Sequence, residues 1–139
     1  MAVLLFFAIS GVLARFLSIE NAERDDEEAL IQAETKGDVA AMLAQLTGCR
    51  QSSSCLATIT ANAHNPRLAR GGNPKILQLT SPTAYSLTGA TGKTRLAWTV
   101  LGTLPVVQCV QVRRTDNFLT GIHVALLSLS APISNEGDC

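Results

Sequence analysis

Few residues in this chain have the type and spacing that chemistry requires. Its two histidines, His64 and His123, have no Ser, Cys or Asp at a spacing that marks a nucleophile–base pair, and a histidine in a strand is more often structural than catalytic. Gly89 to Thr94 carries the Gly-Lys-Thr ending of a phosphate loop. The motif's first glycine would fall at Leu87, however, and the segment leads into a strand rather than a helix N-terminus, so nucleotide binding is not expected. Ser52, Ser53 and Ser54 lack the strand-to-helix elbow of a serine nucleophile and read as loop and cap. Asp25, Asp26, Glu27 and Glu28 are consecutive, which spreads their carboxylates around a helix; they read as a solvated surface, not a metal site. No catalytic residue, metal or cofactor is predicted, and the sequence names no specific activity.

The cysteines do carry chemistry. Cys49, Cys55, Cys109 and Cys139 form an even set without a CxxC pair, and the histidines are not spaced with them as metal ligands. Disulfides are the better reading. The short Cys49 to Cys55 loop makes those two the natural local pair and leaves Cys109 for Cys139, although three pairings are formally open. Each link would contribute roughly 2 to 4 kcal/mol on a chain-entropy account. Such links persist only in an oxidising compartment, which points to the extracytoplasmic side.

Charge is segregated along the chain although its sum is zero. Glu20 to Asp38 holds eight acids against Arg24 and Lys36, and Val39 to Thr115 holds no acid but eight basic residues. An acidic helix is therefore followed by a basic body. Two readings follow: the acids neutralise the basic strands within the molecule, or the basic body faces an anionic envelope component or a protein partner. Nucleic acid is not expected, because the basic residues are not interleaved with aromatics.

Ala2 to Ala14 is an unbroken run of apolar and small residues that resumes after Arg15 with Phe16, Leu17 and Ile19. Thirteen residues fall short of about 30 Å of hydrocarbon, while eighteen or nineteen approach it if Arg15 reaches the interface. Residues 1–19 are thus expected to form an apolar N-terminal membrane anchor, a signal-anchor transmembrane helix, with residues 20–139 as one extracytoplasmic domain. The rival reading is a cytoplasmic domain with an apolar, partner-binding helix. No basic residue precedes the run, so the positive-inside tendency gives this topology no support.

The elements that must position these residues come in two textures. Ile19 to Lys36 has helix formers and no Gly or Pro, continuing the apolar segment as one long helix with Ala22, Ala29, Leu30, Ala33 and Gly37 near one face. Gly37 ends it, and Asp38 caps Val39 to Leu46, whose Val39, Met42, Leu43 and Leu46 follow helical spacing. Ser53 or Ser54 can cap a third helix over Cys55 to Ala63, stopped at Asn65-Pro66. Beyond Arg67, turn signals separate strands at Lys75 to Thr80, Ala84 to Leu87, Lys93 to Leu101, Val106 to Thr115 and Gly121 to Ile133. Gly89 to Gly92 and Asp116-Asn117 fit hairpin connections, so consecutive strands should pair antiparallel. In the last strand the apolar phase changes between Leu126 and Leu127, which marks a bulge or bend. The fold expected is α+β, a long N-terminal helix and two short helices packed on a curved antiparallel sheet of four to five strands.

The Lys36-Gly37-Asp38 junction and the short helix to Leu46 resemble the opening of the NTF2-like (cystatin-like cone) superfamily. Over Ile19 to Ile133 that resemblance implies a cone with a pocket between helices and sheet. It implies no single function, since the superfamily holds isomerases, binding modules and bacterial envelope subunits. Its enzymes commonly place an Asp or His in the pocket, whereas Val39 to Thr115 has no acid. If the sheet lines a pocket, His123, Arg95, Arg113 and Gln111 are the candidate ligand-binding groups. A long helix with an apolar first half, an antiparallel sheet and a C-terminal disulfide also looks like type IV pilins and pseudopilins, although Leu5 stands where they carry a glutamate. The functional expectation is a membrane-anchored interaction or small-ligand-binding module without catalysis. Its alternatives are a pilin-like structural subunit and a pocket enzyme of the NTF2-like type.

Overall fold

The computed structural model describes residues 2–81, 89–117, 121–135, 137 and 139; of residues 2, 15, 16, 19, 116 and 117 it describes the backbone only. The expected strand at Ala84 to Leu87 lies outside the described residues. The chain is α+β: helices α1 (Ala2–Thr35), α2 (Val39–Gln45) and α3 (Ser53–Ala63), a 3-10 turn (Cys49–Gln51), then strands β1 (Pro74–Thr80), β2 (Ala90–Val100), β3 (Val106–Asn117) and β4 (Gly121–Leu129). The strands form one antiparallel sheet in the order β1-β2-β3-β4.

Helix ends obey local chemistry. At the end of α1, Gly37 N–H bonds Glu34 O and Asp38 N–H bonds Ala33 O, the paired closure that places a glycine at positive φ. Gly37 has φ 66°, and a Cβ there would meet Ala63 O at 2.8 Å, so both conformation and space require glycine. Asp38 then caps α2, its Oδ1 accepting from Ala41 N–H at 2.9 Å. For α3 the cap is Ser52, which accepts from Cys55 N–H, rather than Ser53 or Ser54.

Three strand limits differ from expectation for physical reasons. Gly92 is inside β2, paired with Val112, so Gly89 to Gly92 is not a hairpin turn; only Gly89, at φ 105°, precedes the strand. Asp116 and Asn117 end β3, opposite Ile122 and Gly121, because the sheet ladder extends through them. The last strand stops at Leu129 rather than Ile133. Ser130 N–H and Ile133 N–H instead bond Cys109 O and Val107 O, so the chain beyond β4 follows the start of β3. The phase change in β4 is a register shift, Gln111 opposite Ser128 and Val112 opposite Leu126.

The core lies between the sheet and the helices. Trp98, Leu96, Val110, Val112 and Leu126 point from the sheet to meet Leu30, Ile31, Met42, Leu46 and Ile59. Disulfides join Cys49 to Cys55 and Cys109 to Cys139, with Cα atoms 5.3 and 5.6 Å apart. The first fixes the 3-10 turn to the start of α3, and the second fixes the C-terminus to β3.

The first half of α1 has no counterpart in this core. Nine large apolar side chains between Val3 and Leu17 are exposed, from 76% at Leu4 to 52% at Ile9. Val3 to Phe7 are consecutive, so bare apolar surface points in every direction around the axis. The expected transmembrane helix does not emerge. Among the described residues no helix is long and apolar enough to cross a membrane. The uninterrupted apolar run ends at Ala14 and acids begin at Glu20.

Candidate functional site

The second half of α1 buries the wrong residues by the usual rule. Glu23, Glu27 and Glu34 are 2%, 0% and 0% exposed, interleaved with buried Leu30 and Ile31 on one face. Spacings of four and seven residues align on a helix, so these carboxylates form a stripe facing the sheet. Ala22 and Ala29, expected on the packed face, are exposed instead, and Glu27 is no part of a solvated run. Ionised carboxylates are costly to bury unless paired or hydrogen-bonded.

The sheet supplies partners for two of them. Arg114 is in phase with Val110 and Val112 on β3, so period-two alternation turns it inward with them. Its Nε donates to Glu23 Oε2 and its Nη2 to Glu23 Oε1, each at 2.7 Å, a bidentate pair. Thr94 Oγ1 also donates to Glu23 Oε1, and Ser81 Oγ donates to the same oxygen at 3.0 Å. At the other end, Trp98 Nε1 donates to Gln108 Oε1 at 2.7 Å, and Gln108 Nε2 donates to Glu34 Oε1 at 2.9 Å and to Ser130 O at 3.1 Å. The Gln108 amide thus links the core tryptophan, helix α1 and the chain after β4.

Glu27 sits between these arrangements. Both its carboxyl oxygens are buried without a hydrogen-bond partner among the described residues. Burial, with the negative charge of Glu23 adding to it, pushes the Glu27 carboxyl up to about 8, against the pull of Arg114. Burial likewise raises Glu34 to about 7, against hydrogen bonding from Gln108. Glu27 therefore holds a proton near neutral pH, and Glu34 titrates there. Two of these enclosed carboxyls, Glu23 and Glu34, fix the helix to the sheet through their hydrogen bonds.

The sheet's outward face is different. A cleft of about 670 Å3 opens where the 3-10 turn and α3 meet this face, and Lys93, Gln111, Arg113, Ser128, Ser54 and Thr58 are among its lining residues. None of the three buried glutamates contributes to it. Of the four residues predicted as ligand-binding, Gln111 and Arg113 reach the cleft, while Arg95 and His123 are not among its lining. Arg95 is half-buried on β2 opposite Cys109, and His123 is exposed on β4 opposite Thr115. His64, at the end of α3, is exposed, with Nδ1 2.7 Å from Thr60 O. Among the described residues no three His, Cys, Asp or Glu side chains cluster as a metal site.

Sequence reasoning missed Glu23, Glu27, Glu34, Gln108 and Arg114. The signal was present as the in-phase placement of Glu23, Glu27 and Glu34 with Leu30 and Ile31, and of Arg114 with the β3 valines, but hydropathy weighs such residues against burial. No protein-family model, curated protein or solved structure matches the chain.

Proposed function

We propose that this protein is a pilin-like structural subunit: a disulfide-stapled domain on the extracytoplasmic side, held at the membrane and in its assembly by the apolar half of α1. The observation that carries this reading is the division of that helix. Its first half bears nine exposed large apolar side chains, while its second half is locked to the sheet. A helix that is apolar all round is stable only inside an apolar surrounding. Identical helices from other copies supply one, and repeated head-to-tail contacts extend without closing. The buried carboxylates fit a structural role, since they hold the second half of α1 in place rather than face a substrate.

The test is to express the full chain with an export signal, fractionate the cells, label free thiols and image the envelope. Membrane-associated protein without reactive thiols, in filaments or oligomers that disperse when Phe7→Arg or Leu13→Arg is introduced, supports the reading. A soluble monomer with four reactive thiols would refute it.

A second reading is a non-catalytic ligand-binding module of the NTF2-like kind, whose curved, cone-like sheet frames a pocket. The cleft between α3 and the sheet favours it, because Gln111 and Arg113 line that space.

A further inference from the structure

The cleft beside α3 is lined by two cations, several hydroxyls and some apolar groups, and among the described residues no acid lines it. Lys93 pairs across the strands with Gln111, and Gln111 with Ser128, so three polar groups form a row on the outward sheet face. Arg113 lies two residues further along β3 on that face. From strand spacing, about 7 Å along the strand and about 5 Å across, the Cα atoms of Lys93 and Arg113 are roughly 8 Å apart. Both side chains are exposed.

Among the described residues, intramolecular neutralisation, one of the two readings of the charge layout, does not reach them. Arg114 pairs with Glu23 on the opposite face of the sheet, where alternation directs Arg114 and Thr94 inward and Lys93 and Arg113 outward. The walls of the cleft come from the segment after Val39 together with β4 and the residues following it, and among the described residues none that lines it is acidic. The walls are also rigid: Cys49, Cys55 and Cys109 line the cleft, and each is disulfide-bonded. A preformed site loses little conformational freedom on binding.

We propose that this cleft binds an anionic glycan, a chain of sugar or polyol units carrying repeated phosphate or carboxylate groups. Lys93 and Arg113 each engage one anionic group, and Ser54, Thr58 and Ser128 hydrogen-bond the hydroxyls between them. A glycan fits better than nucleic acid because, among the described residues, no aromatic ring lines the cleft to stack on a base. The inference goes beyond the structural role above and is independent of what covers the apolar half of α1.

The test uses the full chain in detergent micelles, with fluorescently labelled polyglucuronate and a labelled polyol phosphate as probes, and neutral dextran, inorganic phosphate and duplex DNA as comparisons. Binding to at least one anionic glycan is expected, weakening as salt rises. The Lys93→Gln and Arg113→Gln pair should lower affinity by about tenfold or more, as for loss of two charge-assisted contacts. Lys75→Gln, which lies on β1 outside the cleft, should change it less than about twofold. The near-ultraviolet signal of Trp98 verifies that each variant is folded, and single Lys93→Gln and Arg113→Gln variants replace the pair if it fails that check. Preference for the polyol phosphate or for polyglucuronate identifies which anionic group is recognised. Absence of binding to both glycans, equal weakening by Lys75→Gln, or tighter binding of duplex DNA or dextran would overturn the proposal.

Discussion

The two halves of α1 invert each other. The first exposes large Leu and Phe side chains; the second buries three glutamates, and the helix meets α2, α3, β1 and β4. Over about 50 Å of continuous helix, the same backbone serves two surroundings. Burial here is set by what lies opposite a residue. The sheet offers Arg114, Thr94 and Gln108 to the second half, which makes buried carboxylates tenable, whereas among the described residues nothing covers the large apolar side chains of the first half.

The largest effect should come from removing Arg114. Arg114→Ala leaves Glu23 and Glu27 enclosed without their cation, and unfolding by denaturant should show a loss of roughly 3 to 5 kcal/mol. A loss below about 1 kcal/mol would mean that the second half of α1 is not held through this pair. The disulfides come next. Replacing Cys109 and Cys139 by Ser should cost roughly 4 kcal/mol and replacing Cys49 and Cys55 roughly 2 kcal/mol, because the closed loops differ in length. The reverse order in melting temperature would contradict the entropic account.

Glu27 gives a sign as well as a size. Its folded pKa is raised from the ordinary carboxyl value of 4.5 to about 8, so across that interval the folded state holds a proton that the unfolded state has released. Its contribution is complete below pH 4.5, declines as pH rises, and is lost by about pH 8. Glu34, raised from 4.5 to about 7, acts in the same direction over a narrower window. Glu27→Gln should therefore flatten the fall of melting temperature between pH 5 and pH 8.5, with its largest stabilising effect at the alkaline end. An unchanged pH profile would show that Glu27 is not enclosed. The smallest effect on stability belongs to the first half: Phe6→Ser with Phe7→Ser should leave the unfolding of the domain within about 0.5 kcal/mol while weakening association measured by sedimentation.

Much of this contrast was legible in the residue pattern. The Gly37-Asp38 junction was readable because a positive-φ closure and an N-cap admit few residue types, and the phase change at Leu126-Leu127 was readable because a strand has a strict period of two. Loop length made Cys49 with Cys55 the natural local pair while three pairings stayed formally open, and the fold takes that natural one. The packed face of α1 was not legible, since an amphipathic reading places Ala22 and Ala29 inside and glutamates outside. Only the partners on β2 and β3, more than seventy residues away, reverse that assignment. The start of β2 at Ala90 was missed because Gly89 and Gly92 are turn residues locally, while pairing with β3 draws Gly92 into the ladder. In the cleft, Gln111 and Arg113 could be named from the sequence, but the placement of Lys93 beside them depends on strand register.

Amide hydrogen exchange along α1 tests the central claim most directly, measured on the full chain as a detergent-dispersed monomer and again in its assembled form. Residues 23–35 should be protected in both samples, whereas the amides of residues 3–18 should gain at least about a hundredfold protection on assembly as their apolar side chains are covered. Equal protection of residues 3–18 in the two samples would contradict the account, because the bare half of the helix would then have no role in holding copies together.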